Sequence, residues 1–152
     1  MRAAARMIII AAMLMSVSGM ARGADIRVLG IDAVQDVVRA LAEEFGKETG
    51  QQVELTFDSA QGLQEKIKGG AIFDALIASE ASMDALDSDG IVNPESRVRL
   101  ASAGTGMDAS YEGALMSEGS VPQAARAFIH FLASEDARPH WLAAKLDPVG
   151  ER

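Results

Sequence analysis

Cysteine is absent from this 152-residue chain. That excludes a lipid anchor on cysteine, any disulfide and any thiolate metal site, so stability has to come from burial. Histidine is scarce: His130 and His140 are the only two, and neither stands at a metal-binding spacing from acidic residues, so zinc is not expected. His130 falls inside an apolar helical pattern and reads as a partly buried structural residue, whereas His140, between Pro139 and Trp141, reads as exposed. No apolar run reaches the roughly 20 residues that a membrane span requires. Positive charge is also in deficit, with 14 Lys and Arg against 22 Asp and Glu for a net charge of −8. Such a balance argues against nucleic acid and anionic lipid as partners. It leaves a small ligand open, because local dipoles override net charge.

The motifs of the common catalysts are missing as well. Gly-x-Ser-x-Gly does not occur, and neither histidine is close in sequence to Ser59, the one serine that could be imagined as a nucleophile. Gly104-Thr105-Gly106 lacks the Lys-Ser/Thr of a phosphate loop and reads as a turn. Asp58, Asp74 and Glu80 could form a carboxylate set, but Asp74 reads as a structural residue of its strand and nothing marks a raised pKa. Enzymatic activity is therefore not expected, and neither is a cofactor.

What is present begins with a leader. Arg2 and Arg6 precede the apolar stretch Met7–Val17, and Ala21-Arg22-Gly23 puts small residues at the positions that signal peptidase reads. The expectation is a signal peptide over 1–23, cleaved near Gly23, and a single domain over 24–152 in the periplasm. Cleavage removes Arg2, Arg6 and Arg22, which takes the charge from −8 to −11.

Behind the leader, a short apolar segment ends at small or acidic residues and a helix begins, three times over. Ile26–Leu29 leads to Asp32-Ala33, Val53–Phe57 to Asp58-Ser59-Ala60, and Phe73–Ala78 to Ser79-Glu80. Repeated strand-then-helix units predict an α/β fold with a mainly parallel sheet flanked by helices. Such a sheet aligns helix N-termini, with their free N–H groups, along one rim.

The first helix is the clearest, with Val34, Val37, Val38, Leu41 and Phe45 at three- and four-residue spacing, Asp32 as N-cap and Gly50 as stop. Shorter helices are expected over Ala60–Lys68 and Glu80–Ser88, and strands over Arg97–Ala101 and Tyr111–Met116. A strong amphipathic helix over Val121–Ala133 starts at Ser120 and Pro122. The tail Ser134–Leu146 reads as helical with an interruption at Pro139, and Trp141 and Leu142 are expected to pack back on the body.

The order of these pieces resembles the periplasmic solute-binding proteins of ABC importers, in particular the molybdate-type oxyanion binders. Phe45-Gly46-Lys47-Glu48-Thr49-Gly50-Gln51-Gln52-Val53 resembles the family's F-x-x-x-T-G-x-x-V passage into the second strand. Phe57-Asp58-Ser59-Ala60-Gln61-Gly62-Leu63 stands at its Ser/Gly-rich turn. Gly70-Ala71-Ile72-Phe73-Asp74-Ala75-Leu76-Ile77-Ala78-Ser79 is similar to its G-A-x-x-D-x-x-x-S-A strand. Ala127–Glu135 resembles its C-terminal F-x-x-F-L-x-S-x-E helix pair.

The resemblance implies a small solute, an oxyanion by class, bound at helix N-termini by Asp32, Ala33, Ser59, Ala60 and Ser79, and delivery to an ABC permease in the inner membrane. It also implies two departures. Family members close two lobes on their ligand, yet here Val98–Met107 runs almost directly into Tyr111–Met116. One lobe is expected, built from 24–107 and 108–152, and its exposed cleft face would invite a homodimer.

The serines of the family's pocket are also thinned: Ala33 stands where one is usual, and the paired serines become Ser59 and Ala60. Asp32 and Asp58 are placed to cap helices, or to repel an anion and favour a neutral or cationic solute. The alternatives to solute capture are a remnant lobe without ligand function and a small hydrolase-like enzyme.

Overall fold

The computed structural model describes residues 25–103 and 110–148. The expected leader, 1–23, and the Gly104-Thr105-Gly106 turn lie outside the described residues.

Among the described residues six strands form one sheet in the order β2-β1-β3-β5-β4-β6. They are β1 (Ile26–Ile31), β2 (Val53–Asp58), β3 (Ala75–Ser79), β4 (Val98–Ser102), β5 (Ser110–Leu115) and β6 (Asp147–Pro148). The helices are α1 (Gln35–Thr49), α2 (Ala60–Lys68), α3 (Glu80–Ser88), α4 (Pro122–Leu132) and α5 (Arg138–Ala143). α2 and α3 have the bounds expected from sequence.

The sheet is mixed. β1 pairs parallel with β2 and β3, because α1 and α2 carry the chain back between these strands. β5 pairs antiparallel with β3 and β4, and β6 antiparallel with β4. The parallel character expected for the whole sheet thus holds for the half built by strand-helix units. β4 and β5 are joined by 103–109 alone, too short a link for a helical crossover and for a second lobe.

Side-chain alternation builds a core on each face. Ile26, Val28, Ala75, Ile77 and Leu115 point to one side, where α1, α4 and α5 cover them. Leu29, Leu76, Ala78 and Ala114 point to the other, under α2 and α3. Period-two alternation in strands apolar on both faces yields this doubly covered sheet. On the first face Val34, just ahead of α1, and the α1 stripe Val37, Val38, Leu41 and Phe45 are buried, and Phe45 meets Phe128 of α4 edge-on at 5.2 Å. Gly50 ends α1 in the left-handed conformation at φ 72°, which glycine adopts without a steric penalty.

Three local readings are corrected. Pro139 lies in the first turn of α5 instead of breaking the helix, since proline fits there. Trp141 is buried and donates Nε1–H to the Leu132 carbonyl at 2.8 Å, but Leu142 stays 54% exposed, as the next residue on a helix points elsewhere. His130 is exposed on the outer face of α4, while His140 is half-buried and its Nε2 lies 3.0 Å from Glu44 Oε1.

Candidate functional site

The strand registers bring the three junctions level. β1 pairs with β2 from Ile26↔Val53 to Ile31↔Asp58, and with β3 from Val28↔Ala75 to Gly30↔Ile77. Extended past the last paired residues, both registers set Asp32 beside Ser59 on one flank and Ser79 on the other. The chain leaves β1 for one face of the sheet and leaves β2 and β3 for the opposite face. A crevice opens outside the carboxyl ends of strands at such a switch.

Each junction starts its helix differently. Ser59 caps α2, its Oγ accepting the Gly62 N–H at 3.1 Å. Ser79 caps α3 in the same way, accepting the Ser82 N–H at 3.3 Å and donating its own proton to Ser82 Oγ at 3.0 Å. Neither aspartate is the N-cap expected of it. Asp32 opens a 3-10 turn, Asp32–Val34, that separates β1 from α1, and no side chain caps either the turn or α1.

Asp58 sits one residue before the α2 cap. Its Oδ1 accepts the Ser59 N–H at 2.8 Å and its Oδ2 lies 2.9 Å from Lys66 Nζ. The Lys66 ammonium, then the Ser59 N–H, hold the Asp58 carboxyl below the usual carboxylate range. Ala33 and Ala60 are exposed beside them.

The rim continues onto the antiparallel half. Tyr111 pairs with Ser79, and Ser110 pairs with Ser102 at the end of β4. Reading strand-to-helix junctions alone missed Ser102, Ser110 and Tyr111, because β5 starts at this rim where the parallel strands end. A cavity of about 470 Å³ adjoins Asp32 and Ala33, walled by Asp36, Val37, Ala40 and His140. It opens beside α1 and α5 and does not reach Ser59 or Ser79. Among the described residues no group of acidic, histidine or cysteine side chains could hold a metal ion.

A family model for bacterial extracellular solute-binding proteins matches residues 26–110, 85 of the 152. The chain belongs to that family. Solved structures resemble this solute-binding protein in fold. The periplasmic molybdate-binding protein of Azotobacter vinelandii superposes with a TM-score of 0.72 at 14% identity, covering 84% of this chain and 100% of that one. A substrate-binding domain assigned to a molybdenum ABC transporter of Clostridium difficile gives 0.73 at 10% identity, covering 82% and 99%. The sulfate-binding protein SubI of Mycobacterium tuberculosis gives 0.68 at 11%, covering 84% and 88%. At these identities the likeness is one of fold. No curated protein matches the chain in sequence.

Proposed function

We propose that this chain is the exported solute-binding component of an ABC importer of the molybdate-like type. It captures a small solute at the rim formed by Asp32, Ala33, Ser59, Ala60 and Ser79, and passes it to an inner-membrane permease. Residues 1–23 act as the signal peptide, and 24–152 work in the periplasm as one lobe. The observation that supports this reading is the pairing of β1 with β2 and β3, whose registers, continued past Ile31↔Asp58 and Gly30↔Ile77, bring Asp32, Ser59 and Ser79 level. Proteins of this fold include binders of molybdate, sulfate and iron, so the fold leaves the solute to the rim.

Ser59 Oγ caps α2, the two histidines lie on α4 and α5, and no nucleophile–base pair stands at the rim among the described residues. A single lobe offers one wall, so affinity is weak for one copy and rises if two copies face each other across the rim.

Thermal unfolding against a panel of oxyanions and neutral solutes, with light scattering at each saturating concentration, tests the reading. Saturable stabilisation by one solute, lost on replacing Ser79, supports it. Flat curves for all solutes from a folded monomer favour the second reading, a remnant lobe without ligand function. That reading is favoured by one observation, the shortness of the link 103–109 between β4 and β5, which holds too few residues for an opposite wall.

A further inference from the structure

At the start of α2, one backbone N–H and one ammonium already have the chain's own carboxylate as acceptor. Asp58 ends β2 in register with Ile31, so its backbone is fixed by the sheet. From there its side chain folds back over the helix start, where Oδ1 takes the Ser59 N–H at 2.8 Å and Oδ2 takes Lys66 Nζ at 2.9 Å. A backbone N–H at a helix start and an ammonium two turns on are the donors that a bound oxyanion would use.

Gly62 makes the fold-back possible: a Cβ at that position would collide with the Asp58 carboxylate. A second donor of the turn, the Gly62 N–H, is held by Ser59 Oγ at 3.1 Å. At α3 the Ser79 hydroxyl is likewise engaged, as acceptor and as donor, with Ser82.

We propose that Asp58 serves as a built-in anion that keeps tetrahedral oxyanions off this rim, making it the specificity-determining residue for a solute that carries no anionic group. The inference rests on the rim being the solute site, as proposed above. A dianion that takes the Ser59 N–H and Lys66 has to displace the carboxylate and then lie against its charge. A solute presenting hydroxyls or an amine meets an acceptor instead.

The test is calorimetric titration of sulfate and of molybdate, at constant ionic strength, into the wild-type chain, Asp58→Ser and Asp58→Asn. Asp58→Ser frees the Ser59 N–H and Lys66. Asp58→Asn keeps the shape of the side chain and removes only its charge, so it reads the effect if the serine variant does not fold. Oxyanion affinity should rise at least tenfold over wild type in Asp58→Ser and at least threefold in Asp58→Asn. Wild-type binding of either anion as tight as in the variants overturns the proposal, and so does a failure of both folded variants to bind.

The solute panel separates this from the transport reading. Oxyanion binding gained by Asp58→Ser while wild type ignores every solute upholds the filter and removes the import function. A neutral solute bound by wild type, with no oxyanion gained by the variants, removes the filter and leaves the function standing.

Discussion

Asp74 Oδ1 accepts the Ser120 N–H at 2.7 Å, 46 residues along the chain, and so the residue just before β3 caps α4 from outside. The Ser120 hydroxyl at 3.0 Å and the Val121 N–H at 3.3 Å donate to the same oxygen, and the Arg27 N–H donates to Oδ2 at 2.8 Å. α4 has no capping side chain of its own. One fully buried carboxylate therefore ties β1, β3 and the longest C-terminal helix together. Burial pushes the Asp74 carboxyl up, but the hydrogen bonds from Arg27, Ser120 and Val121 outweigh it and hold it below the ordinary value of 3.8.

Replacing Asp74 by alanine leaves three backbone N–H groups without their acceptor, and the expected loss is about 3 kcal/mol or more in urea unfolding. Asp74→Asn should lose about half as much, since it keeps one acceptor oxygen and turns an amide toward donors. The pH dependence follows from the lowered folded value. The stabilisation is complete above the unfolded aspartate value and falls away as the pH drops below 3.8 through the folded value. Wild type should lose stability steeply in that window, and Asp74→Asn should lack this component of the slope.

Arg97 holds three carboxylates at once: Asp84 at 2.6 Å, Glu112 at 2.7 Å and Asp87 at 3.2 Å. Glu112 is nearly buried in β5, so the guanidinium is what makes its charge tolerable there. Burial alone would lower the Arg97 pKa, but the three carboxylates more than reverse that and raise it. Arg97→Met should cost about 3 kcal/mol, because it strands a buried charge beside two others. Arg97→Lys should recover less than half of this, as one ammonium cannot span three acceptors. The double variant Arg97→Met with Glu112→Gln should be more stable than Arg97→Met alone, and urea midpoints of the three variants check the order.

α4 packs close to β5 because position 113 has no side chain. A Cβ on Gly113 would lie 2.7 Å from Ile129 Cδ1 and 3.1 Å from its Cγ2. Gly113→Ala should therefore destabilise by about 1–3 kcal/mol through overpacking. Gly113→Ala with Ile129→Val, which withdraws the nearest methyl, should recover part of that loss, a non-additivity that thermal unfolding of the single and double variants measures.

The elements built from local patterns were legible in the sequence, and those set by distant partners were not. The α1 stripe from Val34 to Phe45 repeats at helical spacing, so its burial follows from periodicity alone. Ala60–Lys68 and Glu80–Ser88 are bracketed by a serine cap and a glycine-bearing turn, and their bounds followed. The partners of Asp74 lie 46 and 47 residues away, and nothing local names them.

Direction in the second half of the sheet was likewise hidden, since β5 differs from a parallel strand only in what precedes it. At the rim, Ser59 and Ser79 were visible as hydroxyls beside helix starts. The aspartates misled in their detail: a 3-10 turn removes Asp32 from α1, and Asp58 turns to Lys66, eight residues on and two turns along the helix.

Ser79 joins the capping of α3 to the rim, and the two roles separate by experiment. Its Oγ accepts the Ser82 N–H, so Ser79→Ala should cost about 1 kcal/mol of stability, the usual loss for an N-cap. Ser79→Asp or Ser79→Asn restores a capping acceptor and should return most of that stability. Solute binding should follow a different order if the rim is the site. The aspartate variant brings a second negative charge level with Asp32 and removes the small hydroxyl, so stabilisation by a neutral solute should fall at least tenfold in both alanine and aspartate variants. Stability restored without binding in Ser79→Asp assigns the hydroxyl to the solute; binding that tracks stability across all variants assigns it to the helix alone.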